Sequence, residues 1–272
     1  MAIEYASKYA AKVDERFVVA SLTNAAVNND FEFTGVDTVK VYSVPTVALN
    51  DYALTGTNRY GTPEDLQNEV QSLVLTQDKA FTFIIDSKSE DDTMGAMEAG
   101  KALRRQIDEV VLPTVDKYRL AVMAEGAGKS ATGAIDKDTA YAALLDGTAA
   151  LLDAGAPANG RVAYVSSAFY KAIKLDGSFV HASDVAQNML ITGSVGMVDG
   201  INIIPVPASY LPSDVAFIVT HKMATVGPVK LQSYKIHDNP PGVNGKLVEG
   251  RIRYDAFVLN GKKGAVYVHK TA

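Results

Sequence analysis

Gly126-Ala-Gly128-Lys129-Ser130 is the stretch of this chain that most resembles catalytic machinery, because it ends like a phosphate-binding loop. In such a loop backbone amides and a lysine surround phosphoryl oxygens. The full pattern places four residues between its two glycines, and a helix must start at the lysine to aim its amides at the ligand. The first glycine would fall at Met123, and Ser130-Ala-Thr-Gly-Ala follows the lysine, with the next helix cap only at Asp138. The expectation is a flexible linker; a nucleotide-using enzyme centred on Lys129 is the rival. Glu90-Asp91-Asp92 has the carboxylate density of a metal site. Carboxylates there also suit a helix start, where they meet free amides and the positive end of the dipole. His181, His221, His237 and His269 are scattered, no two at metal-ligand spacing. His221-Lys222 and His269-Lys270 read as strand ends facing solvent or a subunit contact. No Gly-x-Ser-x-Gly elbow surrounds a serine, and cysteine is absent, which removes thiolate chemistry and disulfides. The sequence names no catalytic residue, no cofactor-binding residue and no metal ligand.

The elements that would position such groups are those of an ordinary globular chain. Of 272 residues 47% are hydrophobic and 21% charged, enough for a sizeable core in one domain or two closely joined ones. The net charge of -5 is wrong for a protein that wraps nucleic acid with a basic surface. It is compatible with a container whose wall must not grip its contents. The start, Met-Ala-Ile-Glu-Tyr-Ala-Ser-Lys-Tyr, lacks a signal-peptide pattern, and no apolar stretch is long enough to cross a bilayer. A soluble protein made in a cytoplasm, with no membrane partner, is expected.

Apolar spacing predicts a short amphipathic helix over Ile3–Phe17, followed by a polar, irregular stretch from Asn24 to Thr34. Between Gly35 and Asp86 two β-prone runs, Asp37–Val44 and Glu69–Thr76, flank a tip rich in Gly, Asn, Asp, Thr and Pro, which predicts a long hairpin. A lone two-stranded hairpin is marginal in water, so this arm needs a partner surface, expected to be another copy of the chain. Tyr52, Arg59 and Tyr60 at its tip suit an intersubunit contact, since tyrosine and arginine are favoured there; a solvated tip is the alternative. Lys79–Asp86 reads as a buried strand. It leads into a long amphipathic helix from about Asp91 to Ala124, with Met94, Met97, Leu103, Ile107, Val110, Val111, Val115, Tyr118 and Val122 as its apolar set. Pro113 should kink it or divide it in two. Further on, a helix capped by Asp138 and stopped by Gly155, a strand at Arg161, and a helix from Ala168 to Leu175 are expected. A helix over Asp184–Ile191 and strands at Gly200–Pro207 and Val215–Thr220 follow. Val229–Asp238 and Lys246–Leu259 form a second long hairpin, and Ala265–His269 is a closing strand.

This order of elements resembles the major capsid proteins of tailed bacteriophages, which share the Hong Kong-phage-type fold with encapsulins. Phe81-Thr-Phe-Ile-Ile-Asp-Ser87 before an acidic helix start carries the resemblance, as do Asp153-Ala-Gly-Ala-Pro-Ala-Asn-Gly-Arg-Val-Ala-Tyr-Val165, Gly200-Ile-Asn-Ile-Ile-Pro205 and Tyr254-Asp-Ala-Phe-Val-Leu259. The resemblance implies an α+β fold with an N-terminal arm (1–34) and an extended β-hairpin loop (35–86). It further implies a peripheral domain of spine helix and long strands (87–124 and 227–259) and an axial domain (125–226 and 260–272). By the same likeness the chain is a structural subunit, not an enzyme. It would self-assemble as hexamers and pentamers into the icosahedral virion head around double-stranded DNA, enclosed without sequence-specific binding. A portal and a separate scaffolding protein would be its partners, because the arm before the loop is too short for an internal scaffolding segment. An encapsulin-type compartment shell is the alternative. Some members weld neighbours through a lysine on the loop. Residues 44–70 contain Arg59 but no lysine, and a guanidinium stays protonated, so no such cross-link is expected.

Overall fold

The computed structural model describes residues 21–28, 38–43, 46–63, 65–66, 68–92, 98–177 and 196–271. The helices expected at Ile3–Phe17 and Asp184–Ile191, and Met94 and Met97, lie outside them. A 3-10 turn (Thr23–Ala26) leads into β1 (Val27–Asn28), so the Asn24 region is partly ordered and not wholly irregular. β2 (Thr38–Ser43) and β3 (Glu69–Val74) follow, then β4 (Gln77–Asp86), α1 (Ser87–Asp92), α2 (Ala99–Gln106), a π-helical turn (Ile107–Val111) and α3 (Leu112–Glu125). Beyond lie β5 (Lys129–Thr132), α4 (Ala140–Asp153), β6 (Arg161–Ser166), α5 (Ser167–Leu175), β7 (Met197–Val198), β8 (Ile201–Val206) and β9 (Val215–His221). The chain ends with β10 (Thr225–Val226), β11 (Val229–Asp238), β12 (Gly245–Tyr254), β13 (Phe257–Val258) and β14 (Val266–Lys270).

A six-stranded sheet in the order β5-β14-β9-β6-β8-β7 forms the main core. β6 and β9 are buried at every residue, as their unbroken apolar runs require of strands covered on both faces. Ala163, Val165, Phe217, Val219 and Tyr267 point to α4 and α5. Val162, Tyr164, Ile218, Val266 and Val268 point to the opposite side, against Leu120 and Met123 of α3 and against Ala26 and Val27. Gly147 lets α4 lie close to the sheet, since a Cβ there would stand 3.0 Å from the Tyr267 ring.

A second sheet, β11-β12-β4, is long and antiparallel and, among the described residues, covered on one face only. Ile85 and Val248 meet Ala99, Ala102 and Leu103, while Ile252 and Tyr254 meet Val111 and Val115. β4 is therefore not the fully buried strand expected: Ile85 is 3% exposed but its neighbour Ile84 is 55% exposed.

The long helix departs from expectation in three ways. It starts at Ala99, because Glu98 is extended (φ -57°, ψ 129°), and two glycines, Gly95 and Gly100, weaken helix propensity just there. Glu90-Asp91-Asp92 therefore ends α1 and does not start the long helix. Asp86 accepts from the Lys88 amide at the start of α1, and Glu90 accepts from Lys246 Nζ at 2.9 Å. Pro113 lies in the first turn of α3, and the irregularity comes before it, where the Leu112 amide reaches back to Ile107 O in a π-type bond. Asp136, not Asp138, organises the start of α4: its Oδ1 accepts from the Asp138 and Thr139 amides.

Candidate intersubunit surface

The residues that resembled a phosphate loop are structural. Lys129 begins β5, which runs parallel to β14, so a strand stands where a phosphate loop needs a helix. Gly128 donates its amide to Lys263 O at 2.9 Å, and a Cβ on it would lie 2.5 Å from the Lys263 backbone. Gly126 is packed as tightly against Val258. These glycines serve close packing, and the segment is an edge strand, not a flexible linker. His221 and His269 are buried, against the expectation that they face solvent or a subunit contact. His221 Nε2 lies 2.8 Å from Asn159 O while its Nδ1 accepts from the Met223 amide, so the ring ties two turns together. His269 stacks on Phe217, with ring centroids 5.2 Å apart. Among the described residues no three His, Asp or Glu side chains are grouped to hold a metal.

The hairpin differs at its two ends. Its six-residue strands pair in register from Thr38↔Val74 to Ser43↔Glu69. Near the root, Leu73 and Leu75 are buried with Val226 and Leu259, and Gln71 exchanges hydrogen bonds with Val258 O and the Asn260 amide. At the end of β3 the Thr76 amide and hydroxyl both donate to Asp255 Oδ2, at 2.7 and 2.9 Å. Tyr118 of α3 donates to the other oxygen, Oδ1, at 2.8 Å. Burial first, and then this bond, pushes the Tyr118 hydroxyl pKa up. One buried carboxylate thus bolts hairpin, spine helix and β12 corner together.

Beyond Ser43 and Glu69 the described residues form no core of their own. Leu49 is fully exposed, and Leu54 and Tyr60 are more than four-fifths exposed. Val47, Tyr52 and Leu66 are at least half exposed, and so is Tyr42 on the hairpin's outer face. The tip still has a defined shape. Tyr52 and Tyr60 meet edge to face with centroids 5.0 Å apart, the Ala53 amide donates to Arg59 O, and Arg59 Nε donates to Gly56 O. The structure therefore gathers Tyr52, Arg59 and Tyr60 in one tip, beside apolar side chains that the sequence reading did not single out. Gly56 and Gly61 take left-handed φ values of 99° and 91°, which glycine adopts without strain.

The α3 helix beyond Pro113 carries a second polar anchor, unexpected from sequence. Asp116 and Arg119 are 1% and 3% exposed. Asp116 accepts from Ser21 Oγ, the Leu22 amide and Thr23 Oγ1; Arg119 donates to Thr23 Oγ1, Asn24 Oδ1 and Gly227 O. Burial lowers the Arg119 pKa and, with the nearby Asp116 charge, raises that of Tyr164, whose hydroxyl donates to Leu22 O. Asp116 and Arg119 read as an ordinary exposed pair at i, i+3; only the arm laid over them makes them buried.

Solved structures from phages are similar in fold over almost the whole chain. The one from Mycobacterium phage Che8 is similar at a TM-score of 0.71 and 17% identity, covering 98% of this chain and 96% of that one. The bacteriophage PhiM1 mature capsid gives 0.68 at 15% identity over 99% and 92%. The acid-stable capsid of Helicobacter pylori bacteriophage KHP30 gives 0.69 at 10% identity over 100% and 95%. No curated protein sequence matches the chain. The family described as phage capsid protein matches residues 69–268, from the hairpin's returning strand into β14 of the six-stranded sheet. Fold and sequence agree, and this chain belongs to the phage capsid protein family as a major capsid protein of the Hong Kong-phage-type fold.

Proposed function

We propose that the chain assembles as hexamers and pentamers into the icosahedral head of a tailed phage, in the host cytoplasm, around double-stranded DNA held without sequence-specific contacts. A separate scaffolding protein and a portal complete the assembly, and the role is structural, with no catalytic step. The observation that carries this reading is the contrast within the hairpin: a root bolted to the body and a shaped apolar tip that none of the described residues covers. Such a tip is stabilised by a neighbour, and closed symmetry multiplies contacts that are individually weak. In this reading residues 1–34 are the N-terminal arm and 35–86 the extended loop. Residues 87–124 and 227–259 form the peripheral domain, and 125–226 and 260–272 the axial domain.

Tyr52, Arg59 and Tyr60 are the polar part of the loop-tip contact, around the apolar Leu49 and Leu54. The neighbours are held by contact alone, since no lysine stands on residues 44–70; mature particles should run as single subunits on a denaturing gel, and a covalent ladder would refute this. Electron microscopy of the purified chain tests the main reading. Closed shells or capsomers are expected, and a persistent monomer overturns it. Arg59→Glu should leave the subunit folded while lowering shell yield; unchanged assembly removes the loop tip from the interface.

A further inference from the structure

Residues 21–28 are held by side chains that have a second way to satisfy one another. Asp116 and Arg119 stand one turn apart on α3, a spacing at which opposite charges pair directly. Among the described residues no ion pair joins them. All three bonds to Asp116 come from Ser21, Leu22 and Thr23, and Arg119 spends NH1 on Thr23 and Asn24 and NH2 on Gly227 O at 2.8 Å. Its Nε, fully buried, has no hydrogen-bond partner. A Cβ on Gly227 would lie 3.0 Å from that Nε and 2.9 Å from Val27, so glycine lets guanidinium, arm and β11 root meet. Gly227 immediately precedes Pro228, whose carbonyl accepts from the Asp255 amide beside the hairpin anchor.

We propose that residues 21–28 are a releasable latch whose docking decides the partner of Arg119. With the latch down, the arm occupies Asp116, and Arg119 is free to grip the root of β11 through Gly227 O. With the latch lifted, Asp116 loses all three donors and takes the guanidinium, filling the unsatisfied Nε and withdrawing Arg119 from Gly227. The root of the long β11–β12 sheet then loosens. The arm would thereby report its position to the peripheral sheet through two side chains with two discrete arrangements, as a conformational switch requires. This inference stands apart from what the shell encloses.

Hydrogen exchange on the full, unassembled chain tests it. Ser21→Ala with Thr23→Val should raise exchange about tenfold or more in the β11 root, Val229–Ser233, while β6 and β9 keep their protection. Thr225 and Val226 lose their β1 partners directly and are not diagnostic. Adding Asp116→Leu removes the alternative acceptor, so protection at Val229–Ser233 should return although residues 21–28 stay undocked. Loosening that persists undiminished in the triple variant, or a β11 root unaffected by the double one, overturns the switch. Should the double variant fail to fold, Asn24→Ala removes one Arg119 partner alone. It should give the same pattern at smaller amplitude, and a flat response at Val229–Ser233 overturns the proposal equally.

Discussion

The six-stranded sheet and the three-stranded sheet β11-β12-β4 are built from similar strands but finished differently. The first is covered on both faces within one chain, by α4 and α5 on one side and by α3 and residues 21–28 on the other. Among the described residues the second has a helix on one face, nothing on the other, and long unpaired edges on β4 and β11. The hairpin goes further, with a buried root and a bare tip. The gradient places the bulk of the buried core in the six-stranded sheet, while the three-stranded sheet and the hairpin tip leave more of their apolar surface open. Unpaired edges are normally a hazard, and here charge blunts them: Asp78 of β4 is held bidentately by Arg251, and His237 of β11 faces Glu249.

Four measurements would break or sharpen that contrast. Phe217→Ala should destabilise the unassembled chain by about 3–5 kcal/mol, because the ring is fully buried against Phe169, Tyr267 and His269; urea unfolding reads this, and a small loss would dethrone the six-stranded sheet. Gly250→Val should cost less, about 1–3 kcal/mol. A Cβ there would stand 2.3 Å from Phe81, which with Tyr234 lies over the bare strand. Exchange should rise in β4, β11 and β12 and not in β6 or β9; a uniform rise would mean the two sheets unfold as one. Leu49→Ser with Leu54→Ser should change subunit stability by no more than about 0.5 kcal/mol. Each leucine is worth about 1.5–3 kcal/mol when a neighbour buries it, so the concentration needed for assembly should rise more than tenfold in light scattering. Lost monomer stability would instead place those side chains in a core.

The smallest effect concerns acid. The bidentate bond from Arg251 holds the Asp78 carboxyl below its ordinary pKa. Stability from a depressed carboxylate is complete above the unfolded value and is lost as pH falls through the folded one. The acid-side decline in stability, well below neutral pH, should therefore become slightly shallower in Asp78→Asn. An unchanged profile would show that solvent screens this edge pair entirely.

Much of this was legible in the sequence because it rests on short-range pattern. The hairpin strands, β11 and β12, and the buried runs of β6 and β9 follow from apolar alternation, turn residues and unbroken apolar segments. Tyr52, Arg59 and Tyr60 were legible as residues of one tip, but the exposed Leu49 and Leu54 beside them were not, because an isolated leucine in a polar loop carries no spacing signal. Two readings failed where distant contacts decide. Gly128 was read as loop flexibility when Lys263 requires its bareness. His221 and His269 were placed at the surface because a strand end looks exposed until the turns that cover it are known. Asp116 and Arg119 look like any helical surface pair until residues 21–24 cover them.

The π-helical turn at Ile107–Val111 has one more consequence. An unbroken α-helix, with about 3.6 residues per turn, would bring Val110 under the face that Leu103 presents two turns earlier. In this helix Val110 is 49% exposed and Val111 is 7% exposed. The helix thus carries one surplus residue, and the surplus keeps its two halves in phase as one rests on Val248 and the other on Ile252 and Tyr254. Deleting a single residue between Ile107 and Val111 would perfect the helix's own hydrogen bonding and yet turn one half by about 100° away from the sheet. A more regular helix would make a worse spine.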